Sequence, residues 1–239
     1  MFVVCGEALF DVFAVADTPT GMSMDARVGG SPFNVAVGLA RLAQPVCFLS
    51  QVGTGFLGER LMRTLREEGV DTSTVQRSEA PTTLSLIGLD AKGVPSYSFY
   101  GEGCADRRLT PDALATLPDG VKAINFGSYA TVVGPTAVTQ RMLVERESRR
   151  TLIAYDPNIR LNVEPDLEVW REQIDWMLPH TQLLKVSEED LQLVVPGTTP
   201  KAFAANALAA GVKLVVVTRG GEGAIGWTAQ HEVTVPPIP

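Results

Sequence analysis

Apolar runs rich in β-branched residues alternate with amphipathic stretches along the whole chain, and a largely parallel sheet covered by helices satisfies that alternation. The runs Phe2 to Cys5, Val46 to Ser50, Val121 to Phe126, Leu152 to Tyr155, Leu183 to Val186 and Leu214 to Thr218 are the expected buried strands. Between them, Phe56 to Glu68 carries Leu57, Leu61 and Leu65 at a spacing of four and then meets Gly69, a helix stop. Thr110-Pro111 opens a short helix with a cap and a first-turn proline. Further helices are expected over Thr136 to Arg149, Leu167 to Met177, Ser187 to Val194 and Pro200 to Ala210. Two segments, about 9–28 and 84–104, break this rhythm. The second holds Asp90-Ala91-Lys92-Gly93 between β-favouring runs, which predicts a hairpin. Both are expected to form a small β layer inserted in one α/β core that spans residues 1–239.

Composition narrows the function. With 239 residues the chain can bury a full core without disulfides, and Cys5, Cys47 and Cys104 are odd in number and widely spaced, as reduced cytosolic thiols are. The two histidines, His180 and His231, lie in no zinc-ligand spacing. A net charge of −7 and isolated basic pairs exclude the footprint of a nucleic-acid binder. The longest uncharged stretch, Ala123 to Gln140, is broken by glycine, proline and polar residues, so no membrane span is expected; nor is a signal peptide.

Five segments carry candidate chemistry. Gly29-Gly30-Ser31-Pro32-Phe33-Asn34 runs into a helix: the glycines permit close ligand approach, and Asn34 can donate to and accept from a hydroxyl, although a tight turn with a buried asparagine also accounts for these residues. Asp11 sits between Leu9-Phe10 and Val12-Phe13, where a carboxylate could hold a diol or simply face outward on an alternating strand. Asp156-Pro157-Asn158-Ile159-Arg160 follows a strand at its carboxyl end, where open α/β sheets bind ligands, and Arg160 could reach phosphate; Asp-Pro-Asn is also good turn chemistry. Lys185 to Asp190 ends a strand and starts a helix, and capping by Ser187 explains every residue except Lys185. Thr218-Arg219-Gly220-Gly221-Glu222-Gly223 is a glycine-rich loop whose G-x-G-x-x-G match fails as a dinucleotide fingerprint, because Ile225 to Val235 predicts a β-hairpin where a helix is required.

In this order the segments resemble the ribokinase-like (pfkB) carbohydrate kinases, most closely the fructokinase and 2-keto-3-deoxygluconate kinase branch. The most specific part is the glycine pair with Asn34, followed by Gly38 and Gly53 at the spacing of that family's first signature. Asp156, Asn158 and Arg160 and the run VVVTRGGEGA come next, and the likeness covers the whole chain. The resemblance implies a Rossmann-type three-layer sandwich with a β lid, ATP and Mg2+ on the core, and a small sugar beneath the lid. It implies that Asp11, Gly29, Gly30, Asn34 and Tyr100 hold the sugar and that Arg160 lies between sugar and γ-phosphate. Asn158, Lys185, Ser187, Thr218, Gly220 and Gly223 are then nucleotide residues, with Asp190 near hydrated magnesium. Independently, the open edges of an exposed β flap predict a homodimer through the lid.

The chain also departs from that pattern. Gly101 follows Tyr100 where fructokinases often have arginine, Gly55 stands at a commonly acidic position, and Ser187 and Asp190 only approximate an Asn-x-x-Glu pair. The family's Gly-Ala-Gly-Asp motif, whose aspartate is the general base, does not occur in the sequence. Loss of a base alone costs roughly 10²–10⁴ in rate. The expectation is therefore a C-terminally incomplete fructose kinase. Ribokinase, nucleoside kinase or 2-keto-3-deoxygluconate kinase activity and a non-catalytic sugar- or nucleotide-binding protein are the alternatives.

Overall fold

The computed structural model describes residues 1–89 and 95–237. Its strands are β1 (Phe2–Cys5), β2 (Leu9–Thr18), β3 (Gly21–Gly29), β4 (Val46–Leu49), β5 (Gln51–Gly53), β6 (Gln76–Ser78), β7 (Thr83–Leu89), β8 (Pro95–Tyr100), β9 (Ala123–Gly127), β10 (Leu152–Asp156), β11 (Leu183–Ser187), β12 (Leu214–Thr218), β13 (Ala224–Trp227) and β14 (Glu232–Val235). The helices are α1 (Ser31–Arg41), α2 (Phe56–Glu67), α3 (Gly134–Glu147), α4 (Leu167–Met177), α5 (Glu188–Val194) and α6 (Pro200–Ala209). The Asp90 to Gly93 turn lies outside the described residues.

An eight-stranded sheet in the order β14-β13-β12-β11-β10-β9-β1-β4 forms the core. Strands β4, β1 and β9 through β12 run parallel, and β13 and β14 return antiparallel as a hairpin. Alternation along each strand divides the core. Val3, Cys5, Cys47 and Leu49 join Leu143, Trp170, Leu191 and Phe203 of α3–α6 on one face. Val4, Val46 and Phe48 join Phe33 of α1 and Leu61 and Leu65 of α2 on the other. That makes three layers.

Helix ends follow local chemistry. Asp166, Ser187 and Thr199 accept hydrogen bonds from first-turn N–H groups at the starts of α4, α5 and α6. α2 stops where Gly69 takes φ 82°, as its leucine stripe runs out. α1, α2 and α3 start without such a side-chain cap, after Gly30, Gly55 and Val133.

The second sheet has the order β3-β2-β7-β8 and takes its strands from the two segments without helical period. Its register sets Asp11 opposite Ser85 and Ser85 opposite Phe99 in one row, and Phe13, Ile87 and Tyr97 in another. Because side chains alternate along a strand, those rows share a face. β5 and β6 form a small parallel pair that the sequence does not announce.

The chain leaves β1 for β4 on one side and later places β9 on the other, so strand order reverses between β1 and β9. Open α/β sheets carry their ligand crevice at the carboxyl ends of strands beside such a reversal.

Candidate active site between lid and sheet

A cavity of about 790 Å³ opens at that point. Glu7 and Ser31 reach it from the end of β1 and the start of α1, Ser128 and Tyr129 from the end of β9, and Asn158, Arg160 and Asn162 from the end of β10. The second sheet roofs it with Leu9, Asp11, Ser85, Ile87, Tyr97 and Phe99.

The glycine pair shapes one wall. Gly30 adopts φ 108°, and a Cβ there would lie 2.7 Å from the Glu7 carbonyl oxygen. At Gly29 a Cβ would fall 2.4 Å from Asp11 Oδ2, so the bare backbone gives that carboxylate its position. Asn34 follows on the first turn of α1, its N–H bonded to the Gly30 carbonyl at 2.9 Å. Two of the non-glycine residues in left-handed backbone, Ser128 at φ 58° and Asn158 at φ 42°, also line the cavity. Strain of that kind persists where surrounding structure enforces it, commonly at binding sites.

Arg160 is exposed at the cavity wall, its Nη1 donating to the Ile159 carbonyl at 2.8 Å. It makes no ion pair among the described residues, yet its charge acts on Asp11, Asp156 and Asp190. Partial burial raises the pKa of all three carboxyls, and the guanidinium opposes that shift in each. For Asp11, a Ser85 hydroxyl contributes in the same sense as Arg160.

From Arg160 a polar strip continues across the strand ends. Lys185 Nζ donates to Asp156 Oδ2 at 2.9 Å, while the buried Asp156 Oδ1 has no partner among the described residues. The Ser187 hydroxyl accepts from the Asp190 N–H at 3.0 Å, and Asp190 Oδ1 accepts from the Ile159 N–H at 3.2 Å. Ser187 pairs with Thr218 on β12, and Gly220 and Gly223 turn the chain into β13 with φ 52° and 84°. At about 4.8 Å between neighbouring strands, the ends of β10 and β12 are roughly 10 Å apart, a reach suited to a nucleotide's phosphate chain.

The structure therefore brings Asp11, Gly30, Asn34, Asn158 and Arg160 into one cavity, with Gly29 behind Asp11. Lys185, Ser187, Asp190, Thr218, Gly220 and Gly223 stand on the adjoining strip rather than in the cavity. Tyr100 belongs to neither. It pairs with Leu84, out of register with the Asp11-Ser85-Phe99 row, and is exposed, leaving Tyr97 and Phe99 as the aromatic residues over the cavity. Sequence reasoning missed Glu7, Ser85, Ser128, Tyr129 and Asn162. Ser128 had a readable signal, since it directly follows a strand end; the others depend on long-range packing. No group of three or more His, Cys, Asp or Glu suited to a metal ion occurs among the described residues. No helix among them is long and apolar enough to cross a membrane.

Comparison with known proteins decides the family. The profile described as pfkB family carbohydrate kinase matches residues 1–239. The chain belongs to the pfkB family. A fructokinase of Rhizobium leguminosarum bv. trifolii is 35% identical over 236 residues, covering 99% of this chain and 72% of the relative. A solved fructokinase of Xylella fastidiosa superposes with a TM-score of 0.87 at 24% identity, covering 100% of this chain and 75% of that one. An uncharacterized sugar kinase of Pyrococcus horikoshii in complex with ATP gives a TM-score of 0.80 at 26% identity, covering 100% and 78%. The fold is the ribokinase-like α/β sandwich, and the chain is an ATP-dependent sugar kinase.

Proposed function

We propose that the sugar is fructose, held in the cavity under the lid with ATP along the strand ends. The observation that carries this reading is the meeting of Asp11 and Asn34, groups suited to a diol, with Arg160 at the junction between cavity and polar strip. The name of the Rhizobium relative favours fructose over other sugars. Asp11, Gly29, Gly30 and Asn34 orient the sugar beside the exposed backbone of the glycine pair. Tyr97 and Phe99 cover it, in the place that the sequence reading had given to Tyr100. Arg160 stabilises charge on the phosphoryl group in flight, a contribution of about 10³–10⁵ in rate where an arginine is well aimed.

Asn158, Lys185, Ser187, Thr218, Gly220 and Gly223 serve the nucleotide. The carboxylates fit a hydrated Mg2+: Asp190, with the unpartnered Asp156 Oδ1, offers oxygen ligands suited to contact through water, and such an ion neutralises β- and γ-phosphate charge when bound. The Gly-Ala-Gly-Asp segment that would supply the base for the hydroxyl proton does not occur in this sequence, and the chain spans 72% of the Rhizobium fructokinase that it matches.

The lid also carries exposed Val15, Met22, Met24 and Tyr100, which support a homodimer through this sheet. The buried free thiols Cys5, Cys47 and Cys104 suit the cytoplasm.

A panel of fructose, ribose, adenosine and 2-keto-3-deoxygluconate, assayed with ATP and Mg2+ on the full-length protein, tests the substrate. Preferred turnover of fructose is expected. Preference for another member would replace the assignment, and sugar binding without turnover would make the protein non-catalytic.

A further inference from the structure

The floor of the cavity holds a carboxyl with one oxygen engaged at a helix start and the other unpaired. Glu7 is 1% exposed and lines the cavity. Its Oε1 accepts from the Ser31 N–H at 3.2 Å, capping the helix for which Gly30 supplies no side chain. Its Oε2 is buried without a hydrogen-bond partner among the described residues. An unpaired buried polar oxygen costs roughly 1–3 kcal/mol, and on the lining of a cavity a bound molecule can supply the missing partner.

We propose that Glu7 is a substrate-orienting residue: one oxygen fixes the turn that presents Asn34, and the other donates its hydrogen to an oxygen of the bound sugar. This rests on the sugar-site reading above and extends it to a residue that the five sequence segments did not contain.

The chemistry follows from the surroundings. Burial pushes the Glu7 pKa up to about 8, helped by the Asp106 carboxylate, while its own backbone N–H and the nearby Ser128 and Ser31 groups oppose the shift. The group is therefore mostly neutral at pH 7. In a neutral carboxyl whose Oε1 is already accepting, the hydrogen sits on Oε2, the atom lacking a partner. A donor on the floor complements Asp11, an acceptor on the roof.

The charged and titratable groups facing Glu7 are Asp106 and Tyr129, with Cys5 on β1 itself; α1 offers only backbone N–H. Tyr129 Oη and Thr83 Oγ1 both donate to Asp106, at 2.8 and 2.5 Å. Arg107 opposes the upward shifts of Asp106 and Tyr129. Burial holds the Cys5 and Tyr129 pKa values above their ordinary ranges, so neither loses its proton near pH 8.

The test is calorimetric titration of fructose into wild type, Glu7→Gln and Glu7→Ala at pH 7 and 9. A pKa of about 8 makes the neutral fraction fall about tenfold between those pH values, and wild-type affinity should fall with it. Glu7→Gln keeps a donor and an acceptor without titrating; its affinity should lie within about threefold of wild type at pH 7 and stay level to pH 9. Glu7→Ala should bind at least about tenfold more weakly at pH 7. Equal pH profiles for wild type and Glu7→Gln overturn the assignment even if Glu7→Ala does not fold. Unchanged affinity in a folded Glu7→Ala overturns it as well. If wild type fails to bind fructose at either pH while the substrate panel turns over another sugar, the fructose reading falls and the same comparison is decided with that sugar; binding of no sugar overturns both.

Discussion

Replacing Glu7 with glutamine should change how stability depends on pH before any sugar is present. An unfolded glutamate ionises near pH 4.5, whereas burial holds the folded group's pKa at about 8. Between those values the folded state binds more protons than the unfolded state, so the Glu7 contribution to stability falls as pH rises. The sign is opposite to that of a carboxylate held low by a salt bridge. The slope is about 1.4 kcal/mol per pH unit for one fully shifted group, or roughly 2–3 kcal/mol between pH 5.5 and 7.5. Asp11, Asp106, Asp156 and Asp190 have raised pKa values too and slope in the same direction, so only the difference between wild type and variant isolates Glu7. Urea unfolding at pH 5.5, 6.5 and 7.5 measures it. Wild type should lose stability relative to Glu7→Gln as pH rises, by an amount of that order. Parallel curves would show that Glu7 ionises normally in the folded protein, and the neutral-donor argument would fail.

Other outcomes follow from single contacts. Asp11→Ala and Asn34→Ala should each weaken fructose binding by about 1–3 kcal/mol, because buried sugar hydroxyls lose their partner; unchanged calorimetric affinity would remove that residue from the site. Gly30→Ala combines φ 108° with a 2.7 Å approach to the Glu7 carbonyl, and should cost at least about 1–3 kcal/mol in urea unfolding; a neutral result would mean that the turn relaxes freely. Lys185→Met leaves Asp156 without the ammonium that offsets its desolvation, so its pKa should rise further and ATP affinity should fall. Nucleotide titration at pH 7 checks this, and wild-type affinity in the variant would place the phosphates elsewhere.

What could be read from the sequence was what short segments determine alone. The parallel strands follow from apolar runs, and the capping of α5 from Ser187. The β layer was visible as two stretches lacking helical period. Tyr100 shows where local reading stops. One position of register decides which face a side chain occupies, and that register is set by pairing with Leu84 rather than by the tyrosine itself. Glu7 shows another limit. In the sequence it is a charge interrupting an apolar run, and only the return of the chain at α1, 24 residues on, occupies one of its oxygens, while the segments around Asp106 and Ser128 also close around it. Ser128 and Tyr129 join the site because β9 lies beside β1, an ordering that no local pattern encodes.

The central claim is spatial: sugar under the lid, nucleotide along the strand ends, Arg160 between them. A crystal structure with fructose and a non-hydrolysable ATP analogue tests it most directly. The account predicts fructose hydroxyls within hydrogen-bond distance of Asp11 and Asn34, and the terminal phosphate facing Arg160. Fructose bound away from the cavity, or phosphates lying off the strip from Lys185 to Gly220, would contradict it.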